Sequence, residues 1–193
     1  MSINSKNGSY IDDSLGGHVF APNLANIIAN FLMNENCKSV ADYGCGPGWY
    51  TNIISSKGIL CDGYDANAFT ETIAKRCNYS GNFYILDLTE PHLLKKKYNW
   101  ILSLEVGEHI PPQYEDILIN NIINNCSDGI ILSWAIEGQD GPGHVNCKNN
   151  DYIKNKFINL GYVNDLETEN LFRQNTDETA CWFRNTIMVF RKK

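Results

Sequence analysis

The chain has 193 residues, 43% apolar and 20% charged, a balance that excludes a disordered segment and suits one domain burying roughly 70% of its unfolded surface. Its 16 basic and 22 acidic side chains leave a formal charge of −6, which disfavours a large nucleic-acid footprint because such a footprint must neutralise phosphates. No apolar run reaches the ~20 residues that cross a bilayer, MSINSKNGSY lacks the apolar core of a secretory signal, and seven scattered Cys favour a reducing, cytoplasmic setting over a disulfide framework.

Residues 1–20 read as a tail. Its first nine are polar and expected to fray, and Gly8–His18 is either a surface loop or a lid that brings Tyr10 or His18 to a substrate. Pro22, Leu24, Ile27, Ile28, Phe31 and Leu32 then have helical spacing, with Pro in the first turn. Strand-like and helix-like segments alternate from there. Strands are expected at Ser39–Tyr43, Ile59–Tyr64, Phe83–Leu86, Trp100–Leu104, Gly129–Trp134, Tyr162–Leu166 and Asn185–Phe190. Helices are expected from about Trp49, over Phe69–Cys77, Gln113–Asn124 and Asp151–Leu160. The alternation predicts an α/β architecture with a mainly parallel sheet covered on both faces, and ligands at the carboxyl ends of its strands.

The first strand runs into Asp42-Tyr43-Gly44-Cys45-Gly46-Pro47-Gly48. Alternate glycines let backbone approach a ligand closely, and Cys45 needs only to be small. The G-x-G-x-G spacing is not the dinucleotide fingerprint, and no P-loop Lys follows. Asp42 would repel a pyrophosphate but can pair with a cationic amino-acid tail. Asp65 closes the second strand at the right distance to accept from a ribose diol, and Asp87 closes the third, where it can accept from an adenine amino group. The three carboxylates describe a pocket for a ribosylated adenine with a positively charged amino-acid end.

From about Ser39 to Phe190 these features resemble the Rossmann-like S-adenosylmethionine-dependent methyltransferases. The resemblance implies a seven-stranded sheet with an antiparallel last strand beside the fifth. It also implies that Asp42, Gly44, Cys45, Gly46 and Gly48 surround the methionine part. Asp65 with Ala66 would hold the ribose, and Asp87 with Leu88 would meet the adenine.

The fourth strand ends in Glu105-Val106-Gly107-Glu108-His109. If these residues form one helical turn, Glu105, Glu108 and His109 share a face and can bind a divalent cation. His144, in Gly141-Pro142-Gly143-His144, offers a fourth ligand. Glu-x-x-Glu-His with a later His resembles the metal site of small-RNA 3′-terminal 2′-O-methyltransferases, and is similar to a segment of ubiquinone-pathway O-methyltransferases. Mn²⁺ suits the mixed ligands and Mg²⁺ is the commoner ion. The other reading makes His109 or His144 a plain general base, with Glu108 beside it. Trp134 either presents a face to an acceptor or is structural, and Arg173 is a further candidate. The expected activity is O-methylation of a small hydroxylated acceptor, a sugar or nucleotide-sugar with vicinal hydroxyls fitting best. Methylation of an RNA terminal ribose and a catalytically inactive cofactor-binding subunit are the rivals.

Overall fold

The computed structural model describes residues 2–79 and 81–193; Met1, the first residue of the expected frayed tail, lies outside them. The elements are α1 (Pro22–Asn34), β1 (Ser39–Tyr43), α2 (Trp49–Ser56), β2 (Leu60–Asp65), α3 (Thr70–Arg76), β3 (Asn82–Ile85) and β4 (Tyr98–Ser103), followed by α4 (Glu115–Asn125), β5 (Cys126–Ser133), α5 (Asn150–Asn159), β6 (Tyr162–Asn164), α6 (Leu166–Gln174), α7 (Phe183–Thr186) and β7 (Ile187–Lys192). The strands form one sheet in the order β3-β2-β1-β4-β5-β7-β6. The first five are parallel to their neighbours, and β7 runs antiparallel to both β5 and β6.

Strand side chains alternate between two apolar layers, as the two-residue period requires. Ala41, Tyr43, Ile101, Ile130, Leu132, Met188 and Phe190 pack with Leu118 and Ile122 of α4 and Phe157 of α5. Their neighbours Val40, Trp100, Leu102, Ile131, Ile187 and Val189 pack with Leu24, Ile28 and Leu32 of α1 and with Phe172 of α6. Burial on both faces explains why the strands read as apolar runs without polar alternation. The reversal of strand order between β1 and β4 opens a crevice at their carboxyl ends.

Several expectations need correction. The sixth strand stops at Asn164, because Asp165 accepts the Thr168 N–H (3.1 Å) and caps α6, a helix the spacing did not announce. Asn185 and Thr186 belong to α7, not to the last strand. The described part of the tail is not frayed: Ile3 bridges Tyr10, and Asn4 exchanges backbone hydrogen bonds with Ser9 and Gly8. Asn121 and Asn125, in the Asn-rich stretch of α4, are buried. Asn121 donates to Leu88 O and Glu90 O and accepts from the His92 N–H, while Asn125 accepts from Leu94 N–H. They satisfy the backbone of the extended segment that follows β3, which no regular partner reaches.

Candidate active site

A cavity of about 320 Å³ lies at the carboxyl ends of β1, β2 and β4. The glycine loop forms one wall. Gly44 takes φ +72°, and a Cβ there would stand 2.4 Å from Val106 Cγ2, so only glycine lets the loop pass under that side chain. Asp42, Cys45 and Gly46 also line the cavity, whereas Gly48 sits behind it at the start of α2 against Phe83. Burial pushes the Cys45 thiol well up, which leaves it an inert packing group.

Asp42 is buried and accepts the Thr51 hydroxyl (2.7 Å). Burial lifts its carboxyl to about 7, against the opposing Thr51 hydrogen bond. Asp65 and Ala66 line the next wall. Asp65 accepts the Gly46 and Asn67 N–H groups at 2.8 Å each; burial raises its pKa and these donors oppose the rise. Leu88 reaches the cavity but Asp87 does not. Its oxygens are taken by Asn7 Nδ2 (2.7 Å), Thr89 N–H (2.9 Å) and Thr89 Oγ1 (2.7 Å). Burial works against these donors, but together they hold its carboxyl below the usual value.

The opposite wall is built from the end of β4 and the loop after β5. Glu105, Glu108 and His109 do not share a helical turn. Glu105 adopts φ +55°, and only Gly107–His109 close a 3₁₀ turn. The left-handed Glu105 is held by Ser133 Oγ, which accepts its N–H (2.7 Å), and by Gln139 Nε2 (2.9 Å) and Thr186 Oγ1 (3.3 Å), which donate to its carboxylate. Glu108 lies one layer deeper, fully buried, and neither of its carboxylate oxygens makes a well-formed hydrogen bond. Burial, and then the Glu105 charge, push its pKa well above the usual range, against the weaker opposing pull of the Glu108 and Ala135 backbone N–H groups.

His109 and His144 stand in front of Glu108 with ring centroids 5.0 Å apart. His109 Nδ1 is buried without a partner, and burial, followed by His144, lowers the imidazole pKa to about 4. His144 Nδ1 donates to Gln139 O (3.0 Å). That bond fixes the tautomer and leaves the Nε2 lone pair free, 4.0 Å from Glu108 Oε1. Val145 and Asn146 N–H both bond Glu108 O at 2.9 Å, which ties the loop to the 3₁₀ turn. Ligand atoms of Glu108, His109 and His144 lie within 4.8 Å of one another; Glu105 is not part of that group.

The tail closes the third side. Asn7, Gly8, Tyr10 and His18 line the cavity. Gly8 rests so close to the His109 carbonyl that a Cβ would lie 2.1 Å from its oxygen. Asn67 Nδ2 holds Asp12 O (2.9 Å), and Arg76 holds Asp13 O (2.8 Å). Tyr10 meets His18 edge-on at 4.7 Å. Trp134 presents no face to a ligand: it is fully buried under Gly107, and its Nε1 donates to Asn146 O (2.6 Å). Arg173 stands away from the cavity, bound to Glu169 (3.0 Å) and Ile187 O (3.1 Å). Lys96 pairs with Asp62 (3.3 Å) and Arg191 with Glu35 and Asp165. Gln139, Trp49, Tyr50 and Trp182 also line the cavity, and no motif marked them.

No protein-family model matches the chain. A stretch of 80 residues, 42% of the chain, is 32% identical to the MATH and LRR domain-containing protein PFE0570w of Plasmodium falciparum (isolate 3D7), of whose length it spans about 1%. The solved structures are far more extensively similar. Magnesium protoporphyrin IX methyltransferase (ChlM) from Synechocystis PCC 6803 with bound SAM superposes with TM-score 0.66 at 19% identity, over 88% of this chain and 78% of its own. The methyltransferase domain of bacterial CtHen1-C gives 0.65 at 15%, over 88% and 97%. YcgJ from Bacillus subtilis gives 0.61 at 12%, over 87% and 98%. With its seven strands in the order described and an antiparallel β7 beside β5, this chain has the fold of the Rossmann-like, S-adenosylmethionine-dependent methyltransferases.

Proposed function

We propose that the protein is an S-adenosylmethionine-dependent O-methyltransferase acting on a small acceptor with neighbouring hydroxyls, a sugar fitting best. One observation carries the reading. The glycine loop with Asp42 and Asp65 faces His109 and His144 across one cavity, and the buried Glu108 carboxylate stands behind the two imidazoles with its ligand atom within 4.8 Å of theirs. Asp42 fits the ammonium of the donor, Asp65 its ribose, and Leu88 and Ala66 its ring.

A sulfonium methyl is already electrophilic. The methyl carbon bonds to the acceptor oxygen as its bond to sulfur breaks, sulfur keeps the electron pair, and the hydroxyl proton must leave. Alignment in a closed cavity supplies several kcal/mol of the acceleration. His144 Nε2, whose ring gives its other nitrogen to Gln139 O, and His109, whose pKa burial lowers, are placed at the cavity to take the proton. A divalent cation fits the same residues, because buried Glu108 oxygens and His109 Nδ1 lack well-formed hydrogen bonds and His144 already gives its other nitrogen to a carbonyl. Held there, Mn²⁺ or Mg²⁺ would lower the pKa of an acceptor hydroxyl. Glu105, locked by Gln139 and Thr186, supports this wall from outside the three-residue group.

Calorimetry with S-adenosylhomocysteine, with and without Mn²⁺, tests the donor and cation parts. Methyl incorporation into sugars, nucleotide-sugars, catechols and short RNAs then tests the acceptor. Absence of any affinity for the nucleoside overturns the reading. Transfer to RNA that collapses between low and moderate salt would favour the terminal-ribose alternative, which rests on the Glu-x-x-Glu-His resemblance.

A further inference from the structure

The loop between β5 and α5, residues 134–149, contains no helix or strand, yet it delivers Gln139 and His144 to the cavity. Its neck is closed by the Lys148 N–H, which donates to Ala135 O (2.9 Å), so the segment between them forms an Ω-shaped excursion. A loop of this length without regular structure fixes a side chain only where it is tied to the body of the fold.

The ties converge on one residue. Asn146 is buried, two positions after His144 and outside the cavity lining. Its N–H donates to Glu108 O (2.9 Å), beside that of Val145, and its carbonyl accepts the Trp134 Nε1–H (2.6 Å). Its side-chain Nδ2 donates to Glu115 Oε2 (3.1 Å), in the first turn of α4. Glu115 is itself held, because its other oxygen accepts from the Tyr152 hydroxyl and from Lys156 Nζ of α5, both at 2.6 Å. The Asn146 side chain thus joins the excursion to α4 and α5, and its main chain joins it to the turn that carries Glu108 and His109.

We infer that Asn146, gripped by Glu115, is a positioning residue that sets His144 against Glu108 and His109. The inference rests on the proposed cation-binding role of that wall and names what holds its two halves in register. His144 comes from the excursion after β5 and the other two from the turn after β4, so a cation shared among them requires the two segments to keep their spacing. Groups that orient ligands from outside in this way are worth about 10- to 100-fold in metal affinity. Neither Asn146 nor Glu115 lines the cavity, so their effect on it passes through the loop.

The test measures Mn²⁺ and S-adenosylhomocysteine affinity by calorimetry, and amide exchange by NMR, on the full chain. Asn146→Ala should weaken Mn²⁺ by about tenfold or more and leave S-adenosylhomocysteine within about twofold, because Asp42 and Asp65 lie on other strands. The amides at positions 145 and 146 should exchange about tenfold faster or more, while those of β4 and β5 keep their rates. Glu115→Gln still forms one hydrogen bond with the Asn146 amide, in either orientation of the two groups, and should keep Mn²⁺ within about threefold. Unchanged Mn²⁺ affinity in Asn146→Ala, or equal weakening of both ligands, overturns the inference, as does a loss in Glu115→Gln that matches the loss in Asn146→Ala. If wild type binds no Mn²⁺, the cation reading falls and the exchange rates decide alone. Faster exchange confined to the loop then keeps Asn146 as the residue that places His144, and unchanged exchange removes it.

Discussion

The two walls of the cavity differ in how their buried polar groups are satisfied. On the glycine-loop side, Asp65 accepts two backbone N–H groups, and Asp87, behind the wall, accepts three donors from Asn7 and Thr89. On the opposite side, neither the Glu108 carboxylate nor His109 Nδ1 makes a well-formed hydrogen bond, and only backbone groups of Glu108, Ala135 and Gly143 act weakly on them. A satisfied carboxylate shapes a pocket and stabilises the chain that makes it. An unsatisfied buried one lowers stability, and it persists in a fold only where something else requires it. The fold completes the first wall by itself, whereas the second holds buried polar groups to which the fold gives few partners.

Glu108 offers the hardest blow to that contrast. Glu108→Leu removes a buried carboxylate with no well-formed hydrogen bond, so the melting temperature should stay level or rise. Methyl transfer should fall at least about a hundredfold, the scale for losing a group that holds or positions an acid-base partner. A protein that melts several degrees lower yet transfers normally would show Glu108 to be ordinary scaffold.

Asp42 sharpens the contrast, because it is a polar group of the nucleoside wall that burial leaves only partly satisfied. Its carboxyl is raised from the usual value of 3.8 to about 7. The stability tied to its protonated form is fully present below about 4 and is lost as pH rises through about 7. The donor's ammonium favours the ionised form, so S-adenosylhomocysteine should weaken by up to tenfold per pH unit below about 7. Asp42→Asn should flatten the dependence of melting temperature on pH between about 4 and 7 and abolish most of the pH dependence of binding. Thermal melts from about pH 4 to 8 and titration calorimetry from about pH 5.5 to 8 read the two, and an affinity independent of pH in the wild type would contradict the raised carboxyl.

The scaffold side has its own test at Asn121. Asn121→Ala strands the buried Leu88 O and the half-buried Glu90 O and His92 N–H, and should destabilise the protein by about 1–2 kcal/mol in denaturant melts. The exposed Asn124→Ala, in the same Asn-rich run, should change stability by no more than about 0.5 kcal/mol. Similar losses at both positions would mean that α4 helicity, not loop stitching, sets the effect.

The sheet was legible in the sequence because its strands are buried on both faces and its helices are not, so Ser39–Tyr43 and the runs around Trp100 and Ile130 stand out as continuous apolar segments. The nucleoside wall was legible for a related reason: strand ends and a glycine loop are local in sequence, and Asp42 and Asp65 fall at them. The acid-rich wall was only half legible. Residue spacing brings Glu108 beside His109, but helical spacing misplaces Glu105. The left-handed backbone there is imposed by Ser133, Gln139 and Thr186 from β5, its following loop and α7, none of which periodicity connects. Tyr50 and Trp182 line the cavity unannounced for the same reason, since an aromatic side chain looks like core until the fold places it. Asn121 and Asn125 carry no sequence signal, because their partners are backbone atoms some 30 residues away.

The smallest expected effect concerns the strap that joins the two walls. Residues 2–20 touch Asp87 through Asn7 on one side and His109 through Gly8 on the other. A Cβ at Gly8 cannot coexist with the His109 carbonyl at 2.1 Å, so Gly8→Ala must lift the strap away from the acid-rich wall. Among the described residues, the core clusters on both faces of the sheet draw nothing from the strap, so global melting should move by about 1 kcal/mol or less. Protease cleavage within the strap should rise several-fold, and S-adenosylhomocysteine should weaken by only a few-fold, because Asp42 and Asp65 keep their places. A melting transition that collapses together with binding would make the strap part of the scaffold, and the division of the cavity into a wall the fold completes and one it does not would then have to include its lid on the completed side.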